Sequence, residues 1–370
     1  MIAGPDRRLE PPTPAAVEEL VAWRPDHGVV SVYIDVDPGD RGGGWRIGVR
    51  DGLDRAVAAA AEGDRETRLA VAATARRILD ELATEPADDR PRGLIGFAEA
   101  SREPGEERWY GAQLPPRRTQ ARYAPRAHLA PLIALLDDGA ALGVVAVSAE
   151  RIRLFDWRLG RTVEVGDWEL ELASDDWRER RSPRSRDPAA AQLVSSSGRD
   201  QHEQRLESNR ERFARRTGEL VGARARERGW REVLMFGDER YAGPLAGGFP
   251  GDGPRHVDSA DLVPMPTGRV SARIAELMPA LNRAREDALL ARIAEAAFAE
   301  ARSAFGEQET LQALEQGRVE HLLYDAELDG PELERMVALA FSTGAAITPV
   351  EGESADRLAA REGFAALLRY

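Results

Sequence analysis

Three apolar runs joined by connections of hairpin length constrain this chain more than any other feature. ALGVVAVSAE, RIRLFDWRLG and RTVEVG follow one another, and the joints at Ala149-Glu150 and Leu159-Gly160 are short enough for tight turns. The expectation is an antiparallel meander. An irregular stretch from Asp175 to Asp200 comes next, containing RERRSPRSRDPAAA, where Pro183 and Pro188 block helix. From about Gln201 to Arg228 a long helix is expected, with Leu206, Phe213 and Leu220 seven apart and Val221 alongside. REVLMFG then reads as a strand, DERYAGPLAGGF as helix or turn, and RHVDSADLV as a short strand. This order of strands and helices indicates a mixed sheet.

The flanking segments carry patterns of their own. GVVSVYIDVDP is an apolar strand (Val29 to Val36), followed by helical patterns over Arg46–Glu62 and Asp64–Leu82. GLIGFAEA, WYGAQL and TQARYAP read as further strands, and AHLAPLIALLDDG as a short helix closing an α+β unit near Asp138. Beyond the mixed sheet, an alanine- and arginine-rich helix is expected from Val270 to about Phe305, linking two domains. ETLQALEQG (helix), RVEHLLYD (strand), ELERMVALAFSTG (helix), AAITPV (strand) and GFAALLRY (strand) then imply a three-layer α/β/α unit. The fold class expected is therefore α/β and α+β in three domains, at residues 1–138, 139–280 and 281–370.

Composition excludes several chemistries. The 370 residues contain no cysteine, so disulfides, thiolate metal sites and cysteine nucleophiles are absent. No phosphate-cradling Gly-x-x-x-x-Gly-Lys, Gly-x-Ser-x-Gly or His-Glu-x-x-His occurs. The five histidines, His27, His128, His202, His256 and His321, lack metal-ligand spacing and suit structural or surface roles. LAGGFPGDGP suits a surface loop rather than a phosphate cradle, and Asp35 and Asp37 suit turn-capping rather than metal binding. No cofactor or metal is expected. With no long apolar run and no apolar middle in MIAGPDRRLEPPTP, neither membrane insertion nor a signal peptide is expected, and a cytoplasmic location is the simplest reading.

Net charge is −13, yet the basic residues are all arginine and are unevenly spread. Between Arg178 and Arg216, eleven arginines face six acidic residues, and that local excess suits an anionic partner. Within the helix, Glu203, Glu207 and Glu211 alternate with Arg205, Arg210, Arg212 and Arg215, which also suits a solvated face laced with ion pairs. In the preceding stretch, Arg178, Arg180, Arg181, Arg184 and Arg186 meet only Glu179 and Asp187. SSSGRDQ connects the two. A glutamine amide is neutral, so Gln201 can only position a water or hydroxyl, while Gly198 frees the backbone for close approach. Two readings stand side by side: a loop presenting Gln201 to an RNA active site, and a helix cap at Ser197 or Asp200 with an incidental glutamine.

From the tetrapeptide Gly198, Arg199, Asp200, Gln201 and the long helix behind it, the chain resembles class I release factors of the eukaryotic and archaeal type and Pelota. The likeness is to bacterial members of the Vms-like branch. LQALEQGRVEHLLYD and GFAALLRY are similar to segments of the kink-turn-binding ribosomal-protein fold. The resemblance implies a middle domain whose Gly-x-x-Gln loop enters the ribosomal peptidyl transferase centre. Gln201 is then the catalytic candidate and Gly198 the conformational one, with Arg178, Arg180, Arg181, Arg184, Arg186, Arg199, Arg205 and Arg212 as RNA contacts. It further implies large-subunit rRNA and peptidyl-tRNA as partners, with a translational GTPase as a candidate. Without lysine or cysteine, neither the Asn-Ile-Lys-Ser nor the Tyr-x-Cys-x-x-x-Phe stop-codon motif can be intact, so the expected activity is peptidyl-tRNA hydrolysis in ribosome rescue. The alternatives are a non-catalytic, hibernation-type factor occupying the A site and, more distantly, an RNA-processing protein.

Overall fold

The structure, a computed structural model, describes residues 9–36, 43–84, 91–171, 176–179, 196–249, 253–299 and 302–370. Its fold class is the α/β and α+β one expected, with three separate sheets. These lie in two compact units: Ala140–Glu276, and Met1–Gly139 together with Leu277–Tyr370.

The N-terminal segment starts with a helix that the residue pattern did not announce, α1 (Pro14–Ala22). Thr13 caps it by accepting the Ala16 N–H at 3.2 Å, and Pro14 occupies a first-turn position where no N–H is needed. Next in the chain are β1 (Val29–Asp35), α2 (Gly44–Ala59), α3 (Arg65–Thr84), β2 (Gly93–Glu99), β3 (Glu107–Ala112), β4 (Gln120–Ala124) and α4 (Ala130–Asp138). The strands form an antiparallel sheet in the order β3-β2-β1-β4. Central β1 is covered on both faces, which is why VVSVYI is almost continuously apolar. Val30, Val32 and Ile34 point into a core with Val49 and Leu53 of α2 and Val71 and Ile78 of α3. On the opposite face the Tyr33 ring meets Phe97 edge-on at 5.9 Å, and its hydroxyl donates to the His128 carbonyl. Asp35 lies 3.9 Å from Arg92 and its backbone N–H donates to Thr119 at 3.0 Å; Asp37 lies outside the described residues.

The middle segment contains β5 (Leu142–Val147), β6 (Arg151–Arg158), β7 (Arg161–Glu171), β8 (Asp176–Glu179), α5 (Ser196–Arg228), β9 (Glu232–Gly237), α6 (Ala242–Gly247) and β10 (Arg255–Asp258). Its sheet runs β10-β9-β5-β6-β7-β8. β5, β6 and β7 form the antiparallel meander, and β9 and β10 add parallel to β5, giving the mixed sheet. Three details differ from expectation. β7 continues past RTVEVG to Glu171, and β8, with Arg178 opposite Glu169, falls in a stretch expected to be irregular. Leu245 to Gly247 of the supposed glycine-rich surface loop belong to α6.

Arg153 of β6 is 6% exposed, and its guanidinium forks onto Glu164 at 2.9 and 2.8 Å while Nη1 donates to the carbonyls of Val263 and Met265. It thereby ties the sheet to the chain leading into α7 (Thr267–Ala299). That helix ends before Phe305, contrary to the expected span. Residues 303–305 instead form β11 (Ser303–Phe305), because pairing with a buried neighbouring strand outweighs the helical propensity of alanine and arginine.

The C-terminal segment continues with α8 (Glu307–Glu315), β12 (Val319–Asp325), α9 (Pro331–Ser342), β13 (Ala346–Val350), α10 (Gly352–Ala359) and β14 (Phe364–Leu368). The sheet order is β11-β14-β12-β13, with β12 and β13 parallel. Leu290 and Ile293 of α7 and Leu358 of α10 pack on one face against Leu323, Ala365 and Leu367, and α8 and α9 lie on the other. This is the expected three-layer arrangement with one helix added, α10.

The N- and C-terminal segments share one unit through buried polar links. Glu334 of α9 accepts the N–H groups of Leu129 and Ala130 at 2.7 and 3.0 Å and lies 2.6 Å from His128 Nδ1. Burial pushes its carboxyl up, but these hydrogen bonds prevail and hold it below the ordinary glutamate value. Arg285 of α7 forks onto buried Asp137 at 2.8 and 2.6 Å, and beside them His321 bonds Thr348 at 2.9 Å.

Arg153→Leu would strand a carboxylate and two carbonyls, so it should destabilise the middle unit by about 3 kcal/mol or more in denaturant unfolding. Stability should also depend on pH. Burial holds His321 below the ordinary imidazole value, and the opposing pull of Asp137 does not compensate. The unfolded chain therefore binds a proton at this site that the folded one does not, so stability rises with pH in that window. Stability of the Met1–Gly139/Leu277–Tyr370 unit should fall as pH drops from about 6.5, and His321→Asn should flatten that slope.

Candidate functional site

The candidate site is built on α5. The sequence pattern starts this helix near Gln201; it starts at Ser196, so Gly198, Arg199, Asp200 and Gln201 have helical backbone rather than forming a loop. Helix formers such as arginine, glutamate and glutamine dominate the remainder of α5, and one glycine costs about 1 kcal/mol relative to alanine, which a helix of 33 residues can carry.

Two halves of α5 differ. Phe213, Ala214, Thr217 and Val221 are buried, and Phe213, Ala214 and Val221 pack with Val145, Ile152, Leu154 and Trp168 of the sheet. Between residues 204 and 212 no side chain is buried. The expected seven-residue stripe is thus only partly the packed one: Leu206 is half-buried and Leu220 is exposed. A straight helix drifts off a seven-residue repeat, so spacing of three and four marks the true contact face. Gly218, which sequence reasoning missed, allows α6 to approach. A Cβ there would lie 2.0 Å from the Leu245 carbonyl oxygen. Its place one residue after Thr217, on the buried stripe, was the available signal.

From Gln201 to the first anchored residue, Phe213, twelve helical steps span about 18 Å. Along residues 204–212, Arg205 and Arg212 are exposed, and Arg212 donates to Asn209. Arg210 instead folds back, reaching Glu150 at 3.2 Å and Glu207 at 3.4 Å. Of the expected alternation of charges, that Glu207–Arg210 pair forms together with a link to the β5–β6 turn. Burial pushes the Tyr241 phenol up, and Glu207 adds to the effect.

The remaining candidates are dispersed. Arg178 lies on β8, Arg199 lies in the first turns of α5, and Arg180, Arg181, Arg184 and Arg186 lie outside the described residues. Among the described residues no His, Asp and Glu group has the geometry to hold a metal ion, and no helix is long and apolar enough to cross a membrane. His27 lies 3.9 Å from Glu66, His128 and His321 are the structural links described above, and His256 is bonded to the Gly237 carbonyl at 3.2 Å.

Residues 140–254, the segment holding the meander and most of α5, match the family model described as bacterial archaeo-eukaryotic release factor family 5. No curated protein matches the chain. Among solved structures, archaeal translation termination factor aRF1 is similar over 96% of both chains at 19% identity, with a TM-score of 0.26. Ribosome-bound archaeal Pelota, from an assembly with ABCE1, is similar over 75% of this chain and 78% of that one at 16% identity, with a TM-score of 0.41. Dom34 of S. cerevisiae, a translation termination-like factor, is similar over 75% and 79% at 10% identity, with a TM-score of 0.36. The family likeness thus rests on residues 140–254, which are similar to a bacterial family of archaeo-eukaryotic release factors.

Proposed function

We propose that this protein serves translation termination or ribosome rescue, and that it does so by promoting hydrolysis of the peptide–tRNA ester in the peptidyl transferase centre without decoding a stop codon. The observation that carries this reading is the position of Gly198–Gln201. The tetrapeptide lies inside the family-matched segment and about 18 Å ahead of the anchored half of α5.

The chemistry asked of Gln201 is modest. Its amide accepts from and donates to one water, orienting it toward the ester carbonyl carbon. Water adds there, the acyl–oxygen bond to the tRNA breaks, and the terminal ribose hydroxyl regains a proton while the peptide leaves as its acid. Ribosomal RNA supplies the rest of the site. Gly198 permits close approach of the backbone, and Arg199, Arg205 and Arg212, with the arginines before Gly198, neutralise rRNA phosphates. Large-subunit rRNA and peptidyl-tRNA are the partners in this scheme, with a translational GTPase as a further candidate.

One feature favours a second reading. A helical backbone at Gly198–Gln201, with Asp200 beside the glutamine, suits a factor that fills the A site without turnover. Tight association with idle ribosomes and no ester cleavage would mark that behaviour.

In a purified system, Gln201→Ala should slow peptide release from ribosome-bound peptidyl-tRNA on the order of tenfold to a hundredfold. Release at the parental rate would remove Gln201 from the mechanism. Arg205→Gln and Arg212→Gln should each weaken ribosome binding and reduce the slope of log K against log salt by about 0.7 to 1.

A further inference from the structure

A second basic run lies far from α5 in the sequence. Between Glu107 and Asp137 there are five arginines, Arg108, Arg117, Arg118, Arg122 and Arg126, and no acidic residue, in a chain of net charge −13. Three of the five are met by carboxylates of the C-terminal segment. Arg117 forks onto Asp138 at 2.9 and 3.0 Å and reaches Glu351 at 2.8 Å. Arg118 donates to the Ala326 carbonyl at 3.3 Å and lies 3.6 Å from Glu327, and Arg122 pairs with Asp329.

These pairs are unequal. Arg117 is held by a bidentate partner in its own segment. Glu327 and Asp329, by contrast, are 80% and 61% exposed and sit on the turn between β12 and α9. Exposed ion pairs contribute little, so a phosphate can take their place. The turn ends at Gly330, whose φ of +142° favours glycine. Beneath it lies a cavity of about 140 Å³ lined by Arg117, Arg118, Gln120, Glu327 and Asp329 among others. The backbone of the turn is held by the Ala326 N–H donating to the Val350 carbonyl at 2.9 Å, so it is the Glu327 and Asp329 side chains that must give way.

We infer that Arg118 and Arg122, with Arg117 as a fixed anchor, form an RNA phosphate-binding patch that the Ala326–Gly330 turn masks in the free protein. The turn is an autoinhibitory strap whose two carboxylates imitate the phosphates they exclude. An RNA strand that reaches the patch exchanges carboxylate for phosphate and releases counterions, which weak solvent-exposed pairs cannot resist. This rests on the reading that the protein handles RNA, but it concerns a face that the Gln201 reading does not use.

The test measures binding of the full chain to a labelled single-stranded poly(U) RNA as a function of salt. Glu327→Gln with Asp329→Asn frees the arginines, while asparagine keeps an acceptor for the Gly330 N–H that Asp329 holds at 3.0 Å. Affinity at low salt should rise about tenfold, and the slope of log K against log salt should steepen by about 1.4, the value for two more phosphates neutralised on a single strand. Adding Arg118→Gln and Arg122→Gln should cancel the gain. A charge-matched control, Glu353→Gln with Asp356→Asn on exposed positions of α10, should show little of it. No gain, an equal gain in the control, or a gain on anionic lipid vesicles but not on RNA overturns the strap. Peptide release assayed in parallel separates the two readings. Normal release without an RNA gain overturns the strap alone, and absence of both release and RNA binding in every variant overturns both.

Discussion

The carboxylate of Glu334 joins into one body two chain segments that are far apart in sequence. It accepts two backbone N–H groups at the start of α4 and holds His128 at 2.6 Å, so it satisfies orphan donors that a helix of nine residues would otherwise leave bare. Charge-assisted bonds of this kind are the stronger class, and here they act where water is largely excluded. The whole of Ala140–Glu276 is inserted between the segments they join. Closing so long an insertion costs entropy, though only slowly more as its length grows. The seam offsets that cost through Glu334, the Arg285–Asp137 fork and the Tyr324 hydroxyl, which donates to Ala130 at 3.3 Å.

The inserted segment has a sheet of its own to support α5. The helix divides labour along its length. From Phe213 onward it is bound by apolar packing and by a glycine contact with α6 that tolerates no added carbon. Ahead of Phe213 the described side chains are polar or partly exposed. Under the proposed function, a stem packed from Phe213 onward, with no buried side chain between residues 204 and 212, carries the glutamine amide into a site built by another molecule.

Much of this was legible. The meander followed from connection lengths, the mixed sheet from element order, and the long helix α5 from its helical apolar spacing. The misses have physical causes. α1 and α10 are short, and the first is specified by a cap, Thr13-Pro14, rather than by periodicity. β11 exists because β14 is beside it, which no local pattern announces. The packed stripe of α5 passes through Ala214 and Thr217, neither of which stands out as apolar, whereas Leu206 and Leu220 drew attention by their chemistry. Asp137 and Arg285 are 148 residues apart in sequence, and nothing in either neighbourhood points to the other.

Acidic residues are distributed as unevenly as the arginines. Between residues 307 and 370, thirteen acidic residues stand against five arginines, a balance poorly suited to binding RNA indiscriminately. Several of those carboxylates are engaged internally: Glu334 caps α4, Glu351 holds Arg117, and Glu327 and Asp329 cover Arg118 and Arg122. Part of the net negative charge is thus structural, committed to the seam and to shielding one basic run. The other basic run, around α5, has no comparable acidic segment set against it among the described residues. Under the proposed function, a polyanion would engage the arginines of α5, and any contact with the second run would have to displace carboxylates. On that reading, this uneven distribution of acidic residues is what reconciles RNA binding with a net charge of −13.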